Sequence, residues 1–207
     1  MERYQWSALN KQQVGAYAEY FVKMEFTMFG FQVYSTEVDD RGIDFVARHE
    51  RGSFLQIQVN SVRFKSQNPS GYVFLTKDKF ARDRSELIEP RYVALGLLRD
   101  GLAPELYLIP ASAWLEPNAV FVDRDYPGSE KSSPEWGINL SKKNFSLLDP
   151  YQFAVVAEKL TYPRNAQREI IKHFGTIDFD PDYDYKAARK SKEDEAVVDI
   201  PEKQTAG

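Results

Sequence analysis

Four polar residues, Glu19, Asp44, Gln58 and Asn60, have the types and spacing that could form an oxygen-rich chemical site. Gln58 and Asn60 alternate with apolar residues, so on a strand both side chains point to one face. An adjacent strand could place Asp44 beside them. Carboxylate and amide oxygens suit Mg²⁺ or Mn²⁺, which prefer oxygen ligands and can hold water and a phosphate. The pattern therefore predicts a metal site suited to phosphate chemistry.

Each of these residues taken alone also fits an ordinary structural role. Glu19 fits the exposed side of a helix, because glutamate usually remains in contact with solvent. Asp44 fits a turn together with Gly42. Gln58 and Asn60 fit the solvent side of a half-exposed strand. Only the combination of the four residues favours a functional site.

The elements that must position these residues follow from the hydrophobic pattern. Apolar residues at helical spacing predict a helix over residues 11–29, followed by strands at 31–35, 43–48 and 54–61. A helix at 78–87 and a short helix at 110–115 are predicted among strands at 72–75, 91–98, 106–109, 119–122 and 136–140, the last two as edge strands. Helices at 150–160 and 163–174 end the folded part. This alternation predicts an α/β sheet.

Size and composition predict one globular domain over residues 1–175 and an acidic tail over 176–207. The chain has no cysteine and two distant histidines, His49 and His173, which argues against disulfides, thiol nucleophiles and zinc clusters. The N-terminus lacks the apolar core of a signal peptide, and no apolar stretch is long enough for a membrane helix. We therefore expect a cytoplasmic protein without a membrane partner.

The charge distribution neither supports nor excludes a nucleic-acid partner. Of the 31 acidic and 27 basic residues, nine and five lie from Thr176 onward, which leaves 22 of each in the body. The acidity therefore belongs to the tail, and the body has no general basic field. Lys77, Lys79, Arg82 and Arg84 alternate with acidic residues, which favours a solvated helix face over a phosphate-binding track.

Three segments resemble the motifs of the PD-(D/E)XK nuclease superfamily, and within it a little-characterised bacterial family of restriction endonuclease-like domains. The segments at 15–19, 41–46 and 56–61 look like its Glu, Asp and Gln-x-Lys motifs, and the resemblance covers about residues 12–160. It implies a restriction endonuclease-like α/β fold: a mixed central β-sheet flanked by helices, with C-terminal helices. It also implies that Asp44, Gln58 and the Val59 carbonyl bind the metal, with Glu19 supporting it through water.

Asn60 occupies the position of the lysine in this motif. In the family the lysine orients or activates water and stabilises charge on the phosphate, whereas an amide can bind water but carries no charge. Loss of one such donor costs about 10²–10³ in rate. The departure implies impaired or absent cleavage, unless Lys65 or Arg63 reaches the site from beyond the strand end.

Three kinds of function remain open at this point. The first is a nuclease-like protein with a degenerate metal site that binds nucleic acid, DNA above all, with little or no cleavage. The second is an active Mg²⁺-dependent DNA endonuclease in which another cation replaces the lysine. The third is an interaction module that forms a homodimer or binds a protein partner through its C-terminal region. The sequence does not decide among them.

Overall fold

The computed structural model describes residues 3–35, 42–50, 52–64, 70–88 and 90–161. All of them belong to one compact unit, Met1–Arg164. Its helices are α1 (Lys11–Met28) and α2 (Phe153–Thr161), and its strands are β1 (Gln32–Ser35), β2 (Phe45–Arg48), β3 (Leu55–Arg63), β4 (Ser70–Thr76), β5 (Arg91–Leu98), β6 (Glu105–Pro110), β7 (Phe121–Arg124) and β8 (Glu135–Ser141).

Helix α1 has a clear start and a continuous buried face. Asn10 caps it: its side chain accepts from the Gln13 amide, and the Gln13 side chain accepts from the Asn10 amide, both at 2.9 Å. The buried residues recur every four positions, at Val14, Ala18, Val22 and Phe26. This spacing places them on one side of the helix, which packs on the central sheet.

The central sheet has five strands in the order β1-β2-β3-β5-β6. Neighbouring strands are antiparallel except for β3 and β5, which run parallel. One face is covered by α1 and α2, and the core on that side contains Phe26, Phe45, Ile57 and Phe153. The structure therefore confirms the predicted α/β fold with a mixed central sheet flanked by helices.

A second sheet of three strands, in the order β4-β8-β7, covers the other face of the central sheet. The expectation that segments 119–122 and 136–140 are edge strands is wrong for the second of them. β8 pairs with β4 on one side and with β7 on the other, so it is the middle strand. Its residues Trp136, Ile138 and Leu140 are buried because they face the core between the two sheets.

The predicted helix over residues 78–87 is also wrong. Only a short 3-10 turn forms there, at Arg84–Glu86, and the Asp83 side chain caps it by accepting from the Ser85 amide at 2.7 Å. The Ala81 carbonyl accepts from Trp136 Nε1 at 2.7 Å instead of taking part in a helix. Tertiary contacts therefore override the helical spacing of this segment.

The predicted helix at 150–160 is confirmed as α2. The predicted helix at 163–174, the domain boundary after residue 175 and the tail lie outside the described residues, and these predictions stay predictions. Within the described residues, no helix is both long and apolar enough to span a membrane.

Candidate metal and phosphate site

Asp44 lies where β2 and β3 separate. Its backbone amide donates to the Ile57 carbonyl at 2.9 Å, and its carboxylate accepts from the Val59 amide. The amide and carbonyl of a strand residue point to the same side, so the Val59 carbonyl is directed toward Asp44 as well. The fold therefore brings a fixed carboxylate and a backbone carbonyl together at this point.

Gln58 and Asn60 lie on the face of β3 that is turned away from α1. Their partners in the parallel register are Val93 and Leu95, which belong to the core under the second sheet. Gln58 Oε1 and Asn60 Nδ2 are both buried, and neither has a hydrogen-bond partner among the residues that the structure describes. A buried polar atom without a partner costs about 1–3 kcal/mol, so these two atoms on one face are candidates for contact with water or a bound ligand.

Gly42 forms the wall of this site next to Gln58. It has a φ of +65°, which favours glycine. A Cβ at this position would lie 3.4 Å from Gln58 Oε1 and 3.5 Å from the Cβ of Lys79. The backbone of Gly42 therefore packs directly against the Gln58 amide, and the segment after β4 approaches from the same side.

Glu19 lies on α1 at about the same height along the sheet as Asn60 in β3. It has no hydrogen bond or ion pair with Asp44, Gln58 or Asn60 in the described chain. Val14 packs in a cluster with Leu98, near the end of β3, while the Phe26 ring lies 5.4 Å from the Phe45 ring at the start of β2. Glu19 is half-buried between these two contacts, level with the second half of β3. It forms no hydrogen bond or ion pair with the rest of the described chain.

The oxygens grouped here suit a hard divalent cation. Asp44 supplies a carboxylate, Gln58 supplies a buried amide oxygen without a partner, and Val59 supplies a backbone carbonyl. Among the described residues, no three His, Cys, Asp or Glu side chains are grouped closely enough to hold a metal ion. A cation at this position would therefore depend on neutral oxygens and water for most of its ligands.

The structure rules out Arg63 as a replacement for the missing lysine. Strand β3 continues to Arg63, whose odd position directs its side chain to the opposite face from Gln58 and Asn60. Its Nη1 donates to the Trp6 and Leu9 carbonyls, which ties the N-terminal segment to the sheet. The other suggested cation, Lys65, lies outside the described residues.

Two features of the site could not be recognised in the sequence. The Cβ of Lys79 comes close to Gly42 because the segment after β4 packs against this turn. Arg91 contacts the same face through Gln56, whose Oε1 accepts from Arg91 Nε at 3.2 Å and Nη2 at 3.1 Å. Neither Lys79 nor Arg91 is close to Gln58 in sequence, so no local pattern points to either residue.

A separate polar groove lies beside the β4 end and is lined by charged residues. There the Lys77 ammonium donates to Asp123 at 2.6 Å and to Asp125 at 2.9 Å, and it lies 4.3 Å from the centre of the Trp136 ring. Burial lowers the pKa of Lys77, but the Asp123 and Asp125 carboxylates raise it by more than burial lowers it. The pKa of Lys77 in the folded protein is therefore above the ordinary lysine value. The Lys77 ammonium is therefore held by its two carboxylate partners and stabilises the fold.

No protein-family model matches the chain, and no curated protein sequence shows significant similarity to it. Among solved structures, the Holliday junction resolvase Hjc of Archaeoglobus fulgidus is 16% identical, with a TM-score of 0.42, over 70% of this chain and 96% of its own. A bacterial homing endonuclease is 15% identical, with a TM-score of 0.44, over 77% of this chain and 97% of its own. Both similarities are distant.

Proposed function

We propose that this protein is a metal-dependent, nucleic-acid-binding protein of the PD-(D/E)XK nuclease type, with a degenerate site and weakened phosphodiester cleavage. The observation that carries the proposal is the Asp44 carboxylate, fixed by the amide of Val59, the residue after Gln58, whose buried Oε1 has no partner among the described residues. A buried amide oxygen without a hydrogen bond destabilises the fold, and a bound ion or water at this position would satisfy it.

In this proposal, Asp44, Gln58 and the Val59 carbonyl hold Mg²⁺ or Mn²⁺, and Glu19 contacts the ion through water. When bound, the cation would polarise the phosphate and acidify a water molecule. Asp44 contributes the one negative charge among these three ligands, so we expect weaker metal binding than a site with two carboxylates would give. The restriction endonuclease-like fold assignment belongs to the same proposal.

Asn60 provides a neutral hydrogen-bond donor at the position where a positively charged lysine would favour cleavage. Its buried Nδ2 can donate to a phosphate oxygen or to the attacking water. In hydrolysis the water oxygen bonds to phosphorus and one P–O ester bond breaks. The released ester oxygen takes up a proton and leaves as a hydroxyl group. Since Asn60 cannot neutralise the developing charge, a rate lower by about 10²–10³ than with a lysine at this position is expected.

DNA is the nucleic acid that we propose as the ligand. The body of the chain has balanced charge, so attraction over long distances is weak. Binding would then depend on the metal and on the few donors within the site. We therefore expect affinity for DNA to rise when Mg²⁺ or Mn²⁺ is present.

Calorimetric titration of Mg²⁺ and Mn²⁺ into the wild-type protein and Asp44→Ala tests the proposal, with plasmid nicking measured on the same samples. Asp149→Ala is the control, because Asp149 is an exposed aspartate outside the site. We expect metal binding and slow nicking that depend on Asp44 and not on Asp149. A wild-type protein that binds neither metal nor DNA would show that the fold serves another role.

A further inference from the structure

Lys79 lies beside the amide of Gln58, on the same side as Gly42. The Cβ of Lys79 and Gln58 Oε1 are 3.5 Å and 3.4 Å from one point, the position of a Cβ on Gly42. The two atoms are therefore at most about 7 Å apart, the sum of these distances. The four bonds from the Cβ to Nζ of a lysine span about 5 Å, so the ammonium can reach the phosphate side of the site.

The backbone of Lys79 is held in place while its ammonium is not engaged. Its amide donates to the Thr76 carbonyl at 3.2 Å, and its carbonyl accepts from Arg91 Nη1 at 3.3 Å. The side chain is exposed, and within the described chain its ammonium forms no ion pair or hydrogen bond. Lys77, two residues earlier, differs because its ammonium is bound to Asp123 and Asp125.

The faces of the sheet distinguish Lys79 from other nearby cations. Arg63 points to the helix side of β3 and is bonded to backbone carbonyls there. Lys23 also lies on the helix side, with its ammonium 5.7 Å from the centre of the Phe45 ring. Lys79 approaches from the face that carries Gln58 and Asn60, where a bound phosphate would lie.

We infer that Lys79 supplies the positive charge that Asn60 lacks, by contacting the nucleic-acid phosphate held at the Asp44 and Gln58 site. This inference rests on the proposed function. A lysine on the segment after β4 takes over the electrostatic role, while Asn60 retains hydrogen bonding to water or phosphate. Because the lysine stem is flexible, the charge is less well positioned than one fixed on β3 would be.

The test compares Lys79→Met and Lys79→Arg with Lys159→Met, an exposed lysine on α2 and therefore on the opposite side of the central sheet. Binding of a fluorescein-labelled DNA duplex is followed by anisotropy at one saturating Mg²⁺ concentration and several concentrations of monovalent salt, before nicking becomes appreciable. We expect Lys79→Met to weaken binding and to reduce the slope of log K against log salt by about 1. Lys79→Arg and Lys159→Met should keep the wild-type slope.

Nicking with Mg²⁺ and metal affinity are then measured on the same proteins. We expect Lys79→Met to nick more slowly than the wild-type protein, by less than the factor of about 10²–10³ that a well-positioned donor contributes, while its metal affinity is unchanged. Adding Asn60→Lys to Lys79→Met should recover part of the lost rate and salt dependence.

Two results would overturn the inference and can be told apart. If Lys79→Met binds and nicks DNA like Lys159→Met while metal binding still requires Asp44, Lys79 is not the phosphate contact and the proposed function stands. If the wild-type protein shows neither DNA binding nor metal binding through Asp44, the proposed function and the role of Lys79 fail together.

Discussion

The carboxylate of Asp44 accepts a hydrogen bond from the backbone amide of Val59, across the gap where two strands of the central sheet separate. This bond does two things. It satisfies an amide that strand β2 no longer pairs, and it holds the carboxylate at Val59, the residue after Gln58 in β3. Asp44 therefore has a structural role beside the metal-binding role that we propose for it, and variants of different shape and charge can separate the two.

Asp44→Asn and Asp44→Ala should differ in stability but not in metal binding. The asparagine oxygen can still accept from the Val59 amide, whereas alanine leaves that amide unpaired at a cost of about 1–3 kcal/mol. Both variants lose the negative charge, so both should lose Mg²⁺ affinity. Urea denaturation and calorimetry measure the two effects. Wild-type metal affinity in Asp44→Asn would contradict the assignment of Asp44 as a ligand.

Gln58→Glu should make folding stability depend on Mg²⁺. In EDTA the new carboxylate is buried near Asp44 and should destabilise the protein by about 1–3 kcal/mol. Saturating Mg²⁺ should restore stability, since a ligand at 100 times its Kd contributes about 2.7 kcal/mol. The control is Gln56→Glu, whose carboxylate would lie beside Arg91 and need no metal. Equal responses of the two variants in thermal denaturation would argue against a cation at Gln58.

Arg63→Met should reduce stability without affecting the site. It removes hydrogen bonds to the Trp6 and Leu9 carbonyls, and bonds from a charged group contribute about 1.5–3 kcal/mol. Metal affinity should be unchanged because Arg63 lies on the opposite face of β3. Urea denaturation of this variant and of Arg82→Met, an exposed arginine, measures the difference. A folded Arg63→Met protein that no longer binds Mg²⁺ would refute this separation.

Lys77→Met should destabilise the protein by about 1–3 kcal/mol at neutral pH, because Asp123 and Asp125 lose their shared donor. The pKa of Lys77 is raised in the folded state, so its stabilising contribution is complete below the ordinary lysine pKa of 10.5. The contribution is lost as the pH rises through the folded-state pKa.

Urea denaturation between pH 7 and strongly alkaline pH tests this expectation. The stability gap between the wild-type protein and Lys77→Met should narrow above the ordinary lysine pKa. Lys79→Met is the matched control, since the exposed Lys79 ammonium has no ion pair in the described chain. A gap of constant size at all pH values would mean that Lys77 stabilises the fold by packing alone.

The sequence by itself determined α1, the strands from β1 to β3, and the common face of Gln58 and Asn60. These features follow from local periodicity, because a helix repeats every 3.6 residues and a strand every two. The predicted fold class therefore agrees with the structure. The type of residue at position 60 also comes from the sequence alone, and with it the expectation of weak cleavage.

Tertiary structure decided the second sheet and the cations around the site. β8 becomes a middle strand through pairing with β4, whose partner residues lie 59 to 71 positions earlier, and no local pattern encodes such a pairing. Strand β3 extends two residues beyond its predicted end, which turns Arg63 away from Asn60. The Cβ of Lys79 lies within about 7 Å of Gln58 Oε1 because the chain after β4 packs against Gly42. Contacts between residues far apart in sequence decide which charges reach a site, since those contacts depend on how the elements pack together.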